Sequence, residues 1–155
     1  MIDDTELRKC KARALRILGS RSLSAGEVEK RLVEKGESAQ TAKEVVKWLE
    51  DAGYVNDAEY AESVVRHYCA KGYGLARIRD ELYRRGIERD IWDDALSAAE
   101  ETEPGGAAQG FLAKKLRGST DKDDLRRAAE ALGRRGFSYE EAREAIKSYI
   151  ESVER

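Results

Sequence analysis

A repeat of 50 residues is the sequence feature that most constrains the fold of this chain. Segments 32–36, 82–86 and 132–136 each begin with leucine and end with a glycine that follows a basic residue. Counted from that glycine, the positions nine, ten and thirteen residues later and eight residues earlier are apolar in every copy. Because the copies align over this span without a gap, the sequence predicts three copies of one structural unit.

Each copy is predicted to contain three helices. Helix-forming residues dominate the sequence, runs of β-branched residues are absent, and apolar residues recur at helical spacing throughout. The first helices are predicted near 6–18, 57–71 and 107–117, the second near 25–35, 75–85 and 122–135, and the third near 39–52, 89–101 and 139–152. The expected fold class is therefore all-α, with three tandem three-helix repeats.

Capping residues mark where these helices begin and end. Ser24 with Glu27 and Ser138 with Glu141 are predicted capping boxes, in which the serine oxygen accepts a backbone N–H and the glutamate reaches back. The glycine of each repeated segment is predicted to close a helix in a left-handed conformation, and the basic residue before it suits a helix C-terminus. The apolar stripe of the first helix is predicted to include Leu7, Ala14, Leu15 and Leu18.

Three domains follow from the repeat, at residues 1–53, 54–103 and 104–155. The segment Thr-Glu-Pro-Gly-Gly at 102–106 contains the only proline of the chain and predicts a flexible joint near the start of the third domain. A unit of about 50 residues buries little surface alone, so neighbouring units are expected to pack on one another. We therefore expect an elongated, curved monomer with a concave binding face.

The composition argues against a catalytic, cofactor or metal site, and hence against an enzyme. The chain has one histidine, His67, so neither a histidine pair for zinc nor a histidine-based triad can form. Cys10 and Cys69 lack metal-ligand spacing, a glycine-rich phosphate loop is absent, and the 31 acidic residues are interspersed with bases. Without a signal peptide or an apolar run of about 18 residues, the chain is expected to be cytoplasmic and not membrane-bound.

Basic residues on the second helices are the candidate binding residues. The predicted partner-binding face comprises Arg77, Arg84, Arg85, Arg127, Arg134 and Arg135, together with Lys114 and Lys115 at the end of a first helix. These residues would suit carboxylates of an acidic protein surface or phosphates. The alternative is that they only keep the helix faces soluble. The net charge of −2, and 12 acidic against 7 basic residues in 54–103, argue against strong independent binding to DNA.

Residues 53–87 carry a pattern that resembles a known family. Its elements are Gly-Tyr-Val-Asn-Asp at 53–57, Tyr-Ala at 60–61, Lys-Gly at 71–72, Arg-Ile-Arg at 77–79 and Glu-Leu-Tyr-Arg-Arg-Gly-Ile at 81–87. This pattern closely resembles the RecX family of RecA modulators, and the resemblance extends over about residues 8–150. It implies tandem three-helix repeats related to helix-turn-helix units. It also implies binding along the groove of the RecA filament on single-stranded DNA, with lowered strand exchange, ATP hydrolysis and co-protease activity in DNA repair, recombination and the SOS response.

Two other functions stay open on the sequence alone. A DNA-binding repeat protein that acts without RecA would bind bare DNA with steep salt dependence. A general helical adaptor would bind some other protein and fail to bind RecA filaments. Direct DNA contact by this chain is expected to be weak, because of its acidic balance.

Overall fold

Nine helices make up the part of the chain that the structure describes. This computed structural model describes residues 3–102 and 106–155, and of residues 99–102 only the backbone; within them there is no β-strand. The helices are α1 (Asp4–Leu18), α2 (Ala25–Glu34), α3 (Ala39–Asp51), α4 (Asp57–Ala70), α5 (Leu75–Arg84), α6 (Arg89–Thr102), α7 (Gly106–Leu116), α8 (Lys122–Arg134) and α9 (Tyr139–Glu154). None of these helices is both long and apolar enough to cross a membrane. The predicted all-α fold of three tandem three-helix repeats is confirmed.

Each three-helix unit has a hydrophobic core of its own. Buried core residues include Cys10, Ala14 and Val28 in the first unit, Ala61, Val65 and Ile78 in the second, and Leu112, Ala128 and Tyr149 in the third. The repeated leucines Leu32, Leu82 and Leu132 are each 0% exposed. Because they lie at corresponding buried positions in three separate cores, the 50-residue register of the sequence is also a repeat of the structure.

Side-chain caps fix the start of α2 and of α9. Both predicted capping boxes are present: Ser24 accepts from the Glu27 N–H and Ser138 from the Glu141 N–H, each at 3.0 Å. The two glutamates in turn accept hydrogen bonds of 3.0 and 2.9 Å from the backbone N–H groups of Ser24 and Ser138. These bonds satisfy N–H groups that have no partner within the helix, and so determine where α2 and α9 begin.

The glycines that end the repeated segments adopt the left-handed conformation. Their φ angles are +103° at Gly36, +70° at Gly86 and +97° at Gly136. The residue after each glycine donates its N–H to the carbonyl of the repeated leucine, at 3.0, 3.2 and 3.1 Å in chain order, which is the Schellman closure of a helix. The repeated leucine therefore has two roles, because its side chain fills the core and its carbonyl ends the helix.

One expectation is wrong and another lies outside the structure. Leu15, predicted on the apolar stripe of α1, is 37% exposed, because it is rotated by about 100° along the helix from the buried Ala14. Residues 103–105 of the predicted joint, and the side chain at position 99, lie outside the described residues. The joint at 102–106 therefore stays a prediction.

The units contact each other through an arrangement that occurs twice. The start of a second helix meets the glycine turn that ends the second helix of the next unit. Between the first and second units, the Ser24 hydroxyl donates to the Arg85 carbonyl. Between the second and third units, the Gly74 N–H donates to the Arg135 carbonyl at 2.8 Å. We call these contacts the first interface and the second interface.

A half-buried carboxylate supports the first interface. Asp57, the first residue of α4, accepts a hydrogen bond of 2.9 Å from the Ala25 N–H at the start of α2. Burial raises the pKa of Asp57, the bond from Ala25 lowers it, and the nearby carboxylates of Glu88 and Glu27 raise it further, so that the net shift is upward. Asp57 thus caps a helix of the neighbouring unit although other acidic groups surround it.

Candidate partner-binding surface

The predicted basic residues separate into two groups in the structure. Three are partly buried near the interfaces between units: Arg77, Arg85 and Arg135. Five are exposed: Arg84, Lys114, Lys115, Arg127 and Arg134. The first group packs against other side chains of the protein, so the second group is the more accessible to a partner.

Arg85 is held between α4 and α5. Its Nε donates to Glu81 at 2.9 Å, its Nη1 donates to the Tyr60 hydroxyl at 2.8 Å, and its guanidinium lies over the rings of Tyr60 and Tyr68. Burial alone would lower the pKa of Arg85, but the hydrogen bonds to Glu81 and Tyr60 raise it overall. Burial likewise raises the pKa of Glu81, and the contacts with Arg85 more than offset this effect. Arg85 therefore fixes α5 to α4, and its carbonyl serves the first interface.

Arg135, the repeat equivalent of Arg85, is stacked on two aromatic rings. Its guanidinium carbon lies 4.8 Å from the ring centre of Tyr73 and 4.7 Å from that of Phe111, and its Nη1 donates to the Lys71 carbonyl at 2.8 Å. Arg77 lies 5.4 Å from the ring centre of Tyr73, and its buried Nε has no hydrogen-bond partner among the described residues. A charge reversal at Arg77 or Arg135 would therefore disturb the packing around the second interface.

Two of the exposed arginines of the second helices are partly neutralised by acidic residues of the same helix, whereas Arg134 forms no ion pair among the described residues. Arg84 lies 3.1 Å from Asp80, and Arg127 lies 3.8 Å from Asp124. Exposed ion pairs of this kind contribute little to stability. They do reduce the positive charge that α5 and α8 present to a partner.

Four cationic residues converge at one depression beside the second interface. They are Lys71 at the end of α4, Lys114 and Lys115 in the last turn of α7, and Arg135. Together with Phe111 they line a volume of about 370 Å³. Among the described residues, none of the three lysines forms an ion pair with a carboxylate. We call this site the basic depression.

Sequence reasoning finds only part of the basic depression. It predicts Lys114, Lys115 and Arg135, which the structure brings together. It does not predict Lys71, which follows α4, or Phe111 of α7, because both reach Arg135 only through packing between units. The one available signal for Lys71 is the Lys-Gly pair at 71–72 within the pattern at 53–87.

The basic depression has the chemistry to bind an anion. Lysine ammonium groups act as compact point charges toward carboxylates or phosphates. One guanidinium nitrogen of Arg135 is already used by the Lys71 carbonyl, so the three lysines supply most of the available charge. An aromatic ring beside such cations also suits a base of a single-stranded nucleic acid. The fitting ligands are therefore an acidic protein surface and a nucleic-acid backbone.

Comparison with known proteins identifies the family. A model of the first three-helix domain of RecX matches residues 10–49, and a model of the second three-helix domain of RecX matches residues 56–96. The chain belongs to the RecX family. The two matched spans cover most of helices α1–α3 and α4–α6 respectively, so the RecX domains correspond to the first two units of the repeat.

Proteins named regulatory protein RecX are similar over most of the chain. The protein from Xanthomonas axonopodis pv. citri is 34% identical over 143 residues, which cover 90% of this chain and 86% of that protein. The protein from Vibrio vulnificus is 30% identical over 142 residues, covering 90% and 92%. The protein from Deinococcus radiodurans is 34% identical over 127 residues, which cover 81% of this chain and 61% of that protein's length.

Solved RecX structures share the fold of the whole chain. The crystal structure of RecX from Lactobacillus salivarius superposes with a TM-score of 0.79 at 24% identity and covers 97% of both chains. A second crystal structure of a regulatory protein RecX gives a TM-score of 0.77 at 22% identity, covering 96% of this chain and 80% of that one. At these identities the similarity establishes the fold alone, and it includes the third unit.

Proposed function

We propose that this RecX-family chain binds RecA on its filament on single-stranded DNA and inhibits strand exchange, ATP hydrolysis and co-protease activity. Membership of a family whose proteins are named regulatory proteins supports a regulatory role. The chain acts by binding, in the cytoplasm, and contributes in this way to the control of DNA repair, recombination and the SOS response.

The basic depression is the observation that carries the proposed contact. Lys71, Lys114 and Lys115 form no ion pair with a carboxylate among the described residues. The exposed arginines Arg84 and Arg127, by contrast, are ion-paired with Asp80 and Asp124. The net charge of −2 limits the attraction of the whole chain to DNA. We therefore assign the depression primarily to acidic residues of RecA, with DNA phosphates as a secondary contact.

Charge reversal of the two α7 lysines tests the proposal. Lys114→Glu combined with Lys115→Glu should raise the concentration needed for half-inhibition of the RecA ATPase about tenfold or more, because close charged contacts would become repulsive. The matched control is Lys43→Glu with Lys47→Glu, which changes the net charge equally at two exposed lysines of α3. Co-sedimentation with RecA filaments on single-stranded DNA measures the same loss as binding.

Stability must be measured beside inhibition, because Lys114 and Lys115 also lie at the favourable end of the α7 dipole. The thermal unfolding midpoint should fall by only a few degrees in the double variant. If the double variant and the parent inhibit the RecA ATPase equally, the basic depression is not part of the contact with RecA. Tight, steeply salt-dependent binding of the parent to bare DNA, without binding to RecA, would favour a DNA-binding protein that acts alone.

A further inference from the structure

The third unit has an apolar groove where the second unit has a tryptophan. The repeat places Ala142 of α9 at the position of Trp92 of α6, and Gly133 of α8 at the position of Tyr83 of α5. Trp92 is 9% exposed, and its indole N–H donates to the Ile87 carbonyl at 2.8 Å. The second unit therefore seats an indole beside its second and third helices, and the third unit supplies none at that position.

The groove between α8 and α9 has a volume of about 560 Å³, within the range of small-ligand pockets. Its apolar walls come from Leu125, Ala129, Phe137, Ala142 and Ile146. Gly133 adds no side chain to the groove, and the space beside it is open, since a Cβ atom built there would meet nothing within 4 Å. The corresponding depression of the second unit has a similar volume of about 570 Å³, but beside Trp92 and Tyr83 it is lined by charged side chains: Arg79, Asp80, Arg89 and Asp93. Of the two depressions, the one in the third unit is thus the apolar one.

Charged residues at the edge of the groove indicate what would accompany an apolar group. Arg126 and Arg143 both line the groove, against a single carboxylate from Glu130. Arg126 lies 3.7 Å from Asp123 in an exposed pair, and such a pair can exchange partners at little cost. The edge therefore favours an occupant that carries carboxylates.

We propose that the groove between α8 and α9 seats an aromatic side chain of indole size, presented on an acidic segment of a partner protein. The protein itself offers a precedent, because the second unit buries an indole, that of Trp92, at the corresponding position of its third helix. Large aromatic side chains in pockets with a polar rim carry much of the affinity of protein interfaces. The inference goes beyond the proposed function, since it does not require the partner to be RecA and is tested without RecA.

Indole-3-propionate is a direct probe, because it combines an indole with a carboxylate. Titrated into isotope-labelled protein, it should shift the amide signals of Gly133 and Ala142 until they saturate. Ala142→Trp should weaken this binding at least tenfold, since the added indole fills the groove from within. The matched control, Ala113→Trp, adds an indole at an exposed position of α7 and should leave binding unchanged.

A second variant and a second probe keep the test decisive if Ala142→Trp does not fold. Gly133→Tyr introduces the residue of the second unit at an exposed helix position and should also weaken the probe at least tenfold. The neutral amide of the probe should bind several-fold more weakly than the carboxylate, and equal binding would overturn the acidic part of the proposal. Unchanged Gly133 signals, or undiminished binding by the folded variants, would overturn the site itself. If the parent protein self-associates and Gly133→Tyr abolishes that self-association, the occupant of the groove is a second copy of this chain, and the proposal is wrong.

Discussion

Alanine substitutions at three glycines should separate backbone strain from the close approach of two units. Gly36 and Gly136 both close a second helix with positive φ, but a Cβ at Gly36 would meet nothing within 4 Å, whereas one at Gly136 would lie 2.6 Å from the Arg77 nitrogen. Gly74 has an ordinary φ of −92°, yet its Cβ would lie 2.6 Å from the carbonyl of Gly136. Alanine at Gly36 therefore introduces backbone strain alone, alanine at Gly74 a steric clash alone, and alanine at Gly136 both.

The expected losses follow from these distances. Gly36→Ala should lower the free energy of unfolding by about 1–2 kcal/mol, the cost of a left-handed conformation for a residue with a Cβ. Gly74→Ala must push two backbones apart, at a cost of about 1–3 kcal/mol for overpacking, and it weakens the hydrogen bonds from Gly74 to Arg135 and from Ala76 to Gly136. With about 1 kcal/mol lost from those bonds, Gly74→Ala should cost about 2–4 kcal/mol.

Gly136→Ala combines both effects and should cost about 3–6 kcal/mol. The double variant Gly74→Ala with Gly136→Ala should lose less than the sum of the single losses, because both substitutions open the same contact. Urea unfolding followed by circular dichroism gives the free energies, and hydrogen exchange at Leu82 and Leu132 reports the second and third units separately. Equal losses for Gly36→Ala and Gly136→Ala would refute the close approach of the two units.

Three further experiments test the core of the second unit, and the carboxylate and the arginine of the first interface. Leu82→Ala should lower the free energy of unfolding by about 2–5 kcal/mol, because the side chain is fully buried; a loss below about 1 kcal/mol in urea unfolding would contradict its place in the core. A carboxyl whose pKa is raised on folding, as at Asp57, contributes stability below its unfolded pKa and loses that stability as the pH rises through its folded pKa. Asp57→Asn should therefore be more stable than the parent at pH 7, and its stability should depend less on pH in the acid range. A pH profile of the melting temperature that is unchanged from the parent would contradict this prediction. Arg85→Ala should lower the free energy of unfolding by about 1–3 kcal/mol, because the Arg85 side chain is 28% exposed and hydrogen-bonded. The matched control Arg84→Ala should lower it by at most about 1 kcal/mol, because the Arg84 side chain is 60% exposed. Equal losses in urea unfolding would show that Arg85 has no structural role.

The helices and the repeat were predictable because their signals are local. The capping serines lie three residues from the groups that they satisfy, and the repeated leucine and glycine lie within one helix end. The burial of Leu32, Leu82 and Leu132 follows from the same register, because one sequence pattern specifies one helix end and one core position in each copy. Such features require no knowledge of how the units meet.

The roles of the basic residues were not predictable from spacing alone. Arg85 bonds to Tyr60, which is 25 residues away in sequence, and Arg135 bonds to Lys71, which is 64 residues away. Charge counting assigns both arginines to a surface, whereas packing between helices places them over aromatic rings. Phe111 belongs to the same stack, and its participation depends on how α7 meets the second interface.

The glycine turn of the first unit, at Gly36, differs from the turns at Gly86 and Gly136, because it does not form an interface with another unit among the described residues. The carbonyls of Arg85 and Arg135 accept hydrogen bonds from the preceding unit, whereas the corresponding Lys35 carbonyl accepts one of 3.0 Å from Arg13 of α1. Arg13 also pairs with Glu37 at 3.1 Å, which holds its guanidinium over the turn. The repeat equivalents of Arg13 are serine and alanine at positions 63 and 113, neither of which can reach a turn in this way. A side chain of α1 therefore takes, at the first glycine turn, the place that the preceding unit takes at the other two.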